Sequence, residues 1–285
     1  MGAQGHRCMG AWGHRGTGAQ GHRGTGAQGH RSIILHIEQD RRKLTMLEIK
    51  NFTKTYKGGR TAVDNLSLRV RAGDIYGFIG HNGAGKTTTI KAVVGIHDFE
   101  KGEILVDGKD VCTRSLECKK VTAYIPDNPD IYEYLTGIQY LNFIADIYQV
   151  PGNTRQERIR REAEEFGIYP VLGDLVSTYS HGMRQKLVLI GALLHEPKLL
   201  VLDEPFVGLD PEASLILKGK MHALCEKGSA IFFSTHVLEV AEKLCNRIAV
   251  ISGGKLVAEG ETKELTGDKS LEDVFMEVTH HDEAD

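Results

Sequence analysis

The stretch "IYGFIGHNGAGKTT", residues 75–88, constrains this chain more than any other. Its opening, "IYGFIG" at residues 75–80, reads as a short apolar strand running into a loop. From Gly80 onward, Gly80-His81-Asn82-Gly83-Ala84-Gly85-Lys86-Thr87 has the spacing G-x-x-x-x-G-K-[ST], with a helix expected over residues 87–94. Glycines at 80, 83 and 85 let the backbone approach closely enough for consecutive N–H groups to wrap a β-phosphate, and the helix start adds favourable partial charge. Lys86 brings a positive charge across the β- and γ-phosphates, and the Thr87 hydroxyl is a natural Mg²⁺ ligand. His81, Asn82, Ala84 and Thr88 complete the loop and are candidate nucleotide contacts. A chance match in a glycine-rich chain has odds of roughly a few per cent. The strand and helix context lowers them further.

Such a loop needs a partner that holds metal and activates water. "KLLVLDEP" supplies it: residues 199–202 are an unbroken apolar run, expected as a buried parallel strand, ending in Asp203-Glu204. Asp203 can reach the Mg²⁺ shell, and Glu204 can act as general base or position the attacking water. A further apolar strand, "AIFFSTH", delivers His236, whose near-neutral imidazole can bond a γ-phosphate or that water. Ahead of Asp203 by 23 residues, "YSHGMRQKLVLIG" opens a helix with Ser180-His181-Gly182. A helix start with a free hydroxyl and a glycine is an anion site. Since the loop at 80–88 already takes the β-phosphate, this second site suits the γ-phosphate of a nucleotide held by another copy.

With these motifs in this order, the chain resembles the ATP-binding-cassette ATPases over about residues 46–279. "YSHGM" stands where that family has a signature, usually L-S-G-G-Q; Ser180 and Gly182 match, while Tyr179, His181 and Met183 depart. "VGLD", ending in Asp210, resembles the family's D-loop, and "STH" its H-loop. Tyr56 sits where the family stacks an aromatic ring on adenine. Where the family has a glutamine after Y-x-P, this chain has Asp127, shorter and charged, which can still hold Mg²⁺ or its water; Asn128 is the alternative register.

The resemblance implies an α/β P-loop NTPase fold with a mixed, mainly parallel core sheet, an antiparallel β subdomain and an inserted helical signature subdomain. It implies Mg²⁺ and ATP between two head-to-tail subunits; both half-sites look intact, which favours a homodimer over a pair with a second ATPase. It also implies a separate transmembrane permease engaged from the cytoplasmic face of the membrane. The ATPase domain is expected over residues 46–265, its helical subdomain at about 128–182, and a tail over 266–285. The ending "SLEDVFMEVT" resembles that of bacterial exporter ATPases, which points to export of a drug, peptide, ion or lipid-like substrate. Partner contact is expected near residues 130–136.

The first 45 residues are of another kind. "GTGAQGHR" occurs identically at 16–23 and 24–31, has almost nothing to bury, and is expected to be disordered or a non-native extension, with Met46 as the natural start. These residues hold seven Arg/Lys against two Asp/Glu, so the rest has 28 basic and 36 acidic residues and no global field for nucleic acid. No apolar run is long enough to span a membrane. Cys8, Cys112, Cys118, Cys225 and Cys245 have no C-x-x-C spacing, which fits reduced thiols. The rival readings are a non-transport cassette ATPase acting on ribosomes or DNA, and a nucleotide kinase or GTPase. The first usually carries a second cassette or zinc module, and the second needs a lid or N-K-x-D, none of which is present.

Overall fold

The computed structural model describes residues 45–280, apart from the His280 side chain. The expectations for residues 1–44 and 281–285, including the repeat and Cys8, lie outside the described residues. In β2 (Thr61–Arg71) Leu66, Leu68 and Val70 are buried in alternation with exposed neighbours, and Val63 is buried as well. This strand pairs antiparallel with β1 (Thr45–Thr55), which pairs with β4 (Lys101–Val106), itself paired with β5 (Lys109–Asp110), giving the antiparallel order β2-β1-β4-β5.

The second sheet has the order β10-β9-β3-β8-β7-β6. Its strands β3 (Ile75–Ile79), β7 (Leu199–Asp203) and β8 (Ala230–Thr235) are buried at every residue, as unbroken apolar runs require when both faces are covered. They pair in parallel with one another and with β6 (Thr122–Ile125) and β9 (Arg247–Ser252). An antiparallel β10 (Lys255–Glu261) closes the edge through a Gly253-Gly254 turn, both at positive φ (53° and 84°), as the primed hairpin turn demands. Because β3, β8 and β7 are parallel neighbours, the residues after them share one edge of the sheet. Gly80, His236 and Glu204 therefore meet there.

Helix α1 (Lys86–Val93) starts after Gly85, at φ 112°. A Cβ on Gly85 would lie 2.7 Å from the Ala62 carbonyl oxygen, and one on Gly80 would lie 2.5 Å from that of Ile251. Both glycines are thus demanded by the chain's own packing, whatever ligand the loop holds. Helix α2 (Ser115–Val121) precedes β6.

Between β6 and β7 lie α3 (Gly137–Ile147), α4 (Gly152–Glu165) and α5 (His181–Leu193). They share a core through Leu141, Ala145, Ile159, Ala163 and Phe166. Thr136 and Gln139 form a reciprocal capping box on α3. Asn153 and Thr154, of residue types that often cap helices, stand inside α4 rather than before it. Pro151 fixes the entry at φ −58°, so both residues fall inside the first turn, where Thr154 Oγ1 donates back to the Pro151 carbonyl.

After β7 come α6 (Pro211–Glu226), α7 (Leu238–Leu244) and α8 (Thr262–Thr266). The last described helix, α9 (Leu271–His280), buries Leu271, Val274, Phe275 and Thr279 at i, i+3, i+4 and i+8. No helix among the described residues is long and apolar enough to cross a membrane.

Candidate functional site

A pocket of about 290 Å³ opens at the shared sheet edge and is lined by Tyr56, Asn82, Lys86, Thr87, Asp127 and Glu204 among others. Gly83, Gly85 and Thr88 complete the loop side. Lys86 is 5% exposed, and its ammonium donates to the carbonyls of Gly80 (2.7 Å) and His81 (3.2 Å), so the loop wraps around its own lysine. The Lys86 Nζ stands 3.5 Å from Glu204 Oε1. His236 Nδ1 lies 3.0 Å from the same oxygen, and the His236 backbone N–H donates to Glu204 Oε2 at 3.4 Å. Lys86, Glu204 and His236 therefore form one contact group.

Glu204 Oε1 is enclosed yet receives no hydrogen bond of acceptable geometry. Glu204 as a residue lines the pocket, so its carboxylate stands where a water beside a bound phosphate can be met. The Glu204 backbone is held at φ 49°, sparsely populated for a residue with a side chain, and its N–H donates to Ser234 Oγ at 3.1 Å. Ser234 Oγ donates in turn to Asp203 Oδ1 at 2.5 Å. One fully buried hydroxyl thus fixes both acids of the "LDEP" turn.

Asp203 itself is 2% exposed and is not among the pocket-lining residues; it stands behind the wall. Burial raises the Tyr124 phenol pKa, and the negative charges of Asp203 and Asp127 add to it. Tyr56 stands at the rim on the turn closed by its N–H to the Arg60 carbonyl (2.9 Å), with its hydroxyl 3.2 Å from Thr88 Oγ1. Its ring is 39% exposed, available to a flat partner.

Other expected residues lie elsewhere. Ala84 is buried under the loop, and His81 points to α9. Ser180 caps α5, accepting from Met183 N–H at 3.3 Å, and neither Ser180 nor Gly182 lines this pocket. Instead the start of α5 lies on the 205–210 segment: a Cβ on Gly208 would touch His181 at 3.0 Å, Gln185 Nε2 donates to the Pro205 carbonyl, and Lys186 Nζ pairs with Asp210 Oδ2 at 2.7 Å. Asp210 caps α6 through Ala213 N–H, and that bond, then Lys186, holds its carboxyl below the usual range.

Arg60 and Ala62 stand outside the sequence motifs, while Ser234 within "STH" and Lys186 within "YSHGMRQKLVLIG" have no role assigned from sequence. Arg60 had a faint signal, a cation closing the glycine turn after Tyr56.

A family model described as "ABC transporter" matches residues 63–207, which hold the loop, α5 and the two acids. The chain belongs to the ABC transporter family. It is 39% identical over 84% of its length to the uncharacterized ABC transporter ATP-binding protein YhcH of Bacillus subtilis (strain 168), covering 77% of that protein. It is 31% identical over 77% of its length to the linearmycin resistance ATP-binding protein LnrL of the same organism, covering 70% of it. A solved ATP-binding subunit of an ABC transporter superposes with a TM-score of 0.79 at 31% identity, over 82% of this chain and 99% of that one. The α/β architecture expected from the motifs is present, and the protein is the ATP-binding, ATP-hydrolysing subunit of an ABC transporter.

Proposed function

We propose that this ABC ATPase binds Mg-ATP in the pocket around Lys86, pairs head to tail with a second copy, and drives a separate transmembrane exporter from the cytoplasmic face of the membrane. The observation that carries the reading is the contact group on the pocket wall, with Glu204 Oε1 set 3.5 Å from Lys86 and 3.0 Å from His236. An acceptor so placed orients a water and takes its proton, while His236 holds the carboxylate from behind. Lys86 leaves its carbonyl partners to meet phosphate oxygens, and the N–H groups of the loop surround them.

Thr87, Asp127 and, through water, Asp203 would hold Mg²⁺, which when bound neutralises phosphate charge. No cluster of three acids, His or Cys suited to a metal exists among the described residues, which fits an ion held largely by substrate phosphates. Tyr56 offers its face to the adenine. Ser180 and Gly182, outside the pocket of their own subunit, are free to meet the γ-phosphate across a dimer.

A groove of about 330 Å³, lined by Ile96, Leu116, Tyr124, Ile147 and Tyr148, supports the permease reading. Ile96, Leu116 and Ile147 are 55%, 69% and 56% exposed. The apolar surface continues along α3 from Ile147 to Phe143, which meets Tyr132 edge-on at 5.6 Å. It thus reaches the 130–136 segment. The resistance protein LnrL and the "SLEDVF" ending favour export.

The test is purification of the tagged protein from detergent-solubilised membranes. A multi-span protein should co-purify and be lost with Leu116→Glu, while the melting temperature holds. Ribosomal or DNA-bound partners in its place would overturn the transport role.

A further inference from the structure

The buried face of α9 extends from α7 to the phosphate loop. Ser270 and Asp273 start the helix by a reciprocal pair of bonds, Asp273 N–H to Ser270 Oγ (3.1 Å) and Ser270 N–H to Asp273 Oδ2 (3.2 Å). At Leu271, fully buried, the backbone N–H donates to Glu242 Oε2 at 3.0 Å and ties the helix to α7. One turn on, Phe275 is 4% exposed and lies edge-on to His81, with ring centroids 4.8 Å apart and planes at 73°. That geometry is the favoured one for two aromatic rings.

His81 is exposed, but its backbone is central to the loop. Its carbonyl accepts from Lys86 Nζ at 3.2 Å and from Ala84 N–H at 3.2 Å. A ring that fixes His81 therefore fixes one of the two carbonyls around which the lysine is arranged. The opposite side of the loop is fixed by Ile251, against whose carbonyl Gly80 packs. Only α9 is shown bracing the His81 side chain among the described residues.

We propose that Phe275 is a positioning residue for ATP: through His81 it holds the phosphate loop in its nucleotide-receiving shape, so the "LEDVF" segment belongs to the binding machinery. This inference rests on the reading of residues 80–88 as the ATP site. Phe275→Leu keeps apolar volume and removes the aromatic edge.

The expected result, in the full chain, is an ATP Kd (measured by displacement of a fluorescent ATP analogue) and a KM both raised about threefold to tenfold. The kcat should stay within about twofold, since no reacting group is touched. In a His81→Ala background the same substitution should add less than about twofold, because the contact it removes is already gone. Thermal melting checks the fold, and Phe275→Met serves the same comparison if the Leu variant does not fold. The proposal is overturned if Kd and KM match wild type, if only the active fraction falls, or if the effects of the two substitutions multiply. A wild-type protein that binds no ATP would instead refute the pocket reading beneath it.

Discussion

At the scale of single residues, the acids after β7 depend on a hydroxyl from the next strand. Ser234 Oγ donates to Asp203 and accepts from Glu204 N–H, all within the buried interior. Ser234→Ala leaves the Asp203 carboxylate short of a donor and should cost about 1–3 kcal/mol in urea unfolding. It should also slow ATP turnover, because the strained Glu204 backbone loses its support. Unchanged stability and unchanged turnover would remove Ser234 from the site. Lys86 and Thr87 follow from the G-x-x-x-x-G-K-[ST] spacing, whereas Asp203 and Glu204 gain meaning only beside that loop, since many apolar strands end in acids. Ser234 opens the "STH" motif, but its bond to Asp203 cannot be read there until β7 and β8 are known to be neighbours.

At the scale of elements, α3 and α5 meet through a ring stack. His195, just beyond α5, lies parallel to Tyr148 at 3.6 Å, and neither ring nitrogen has a hydrogen-bond partner. Arg158 Nη1 donates to the neighbouring Leu194 carbonyl and its Nη2 to Glu196, so the cation beside His195 is already committed. Burial pushes the His195 pKa down to about 4. The unfolded chain, with His near 6.5, then binds the extra proton first as pH falls. Stability is complete above about pH 6.5 and is lost progressively between there and about 4.

With allowance for partial solvent access, the loss at pH 5 should be about 1–2 kcal/mol. His195→Phe should keep the stack and flatten that loss, as read by urea unfolding at pH 7.5 and 5; an equal loss in both proteins would exclude His195. Some element boundaries were readable, such as the Ser180 cap on α5. The start of α4 was not, because Pro151 set it. The apolar groove was also hidden, because it is made jointly by α1, α2 and α3, which are far apart in the chain.

At the scale of the whole molecule, the parallel sheet gathers three motifs into one pocket and leaves the fourth outside it. Residues 80–88, Glu204 and His236 converge because their strands adjoin, whereas Ser180 and Gly182 rest on the Gly208 segment. A single subunit therefore presents the pocket at one edge of the sheet and the start of α5 outside it. Two copies arranged head to tail would complete each other. On the proposed function, closing on ATP and opening after hydrolysis would be the motion passed to the groove beside α3. The most direct measurement is sedimentation of Glu204→Gln with and without Mg-ATP, together with phosphate release. The expected result is a stable dimer in ATP that retains two nucleotides, with turnover reduced by about a hundredfold or more. A variant that stays monomeric at saturating ATP, or hydrolyses at the wild-type rate, would contradict both the paired site and the role of Glu204.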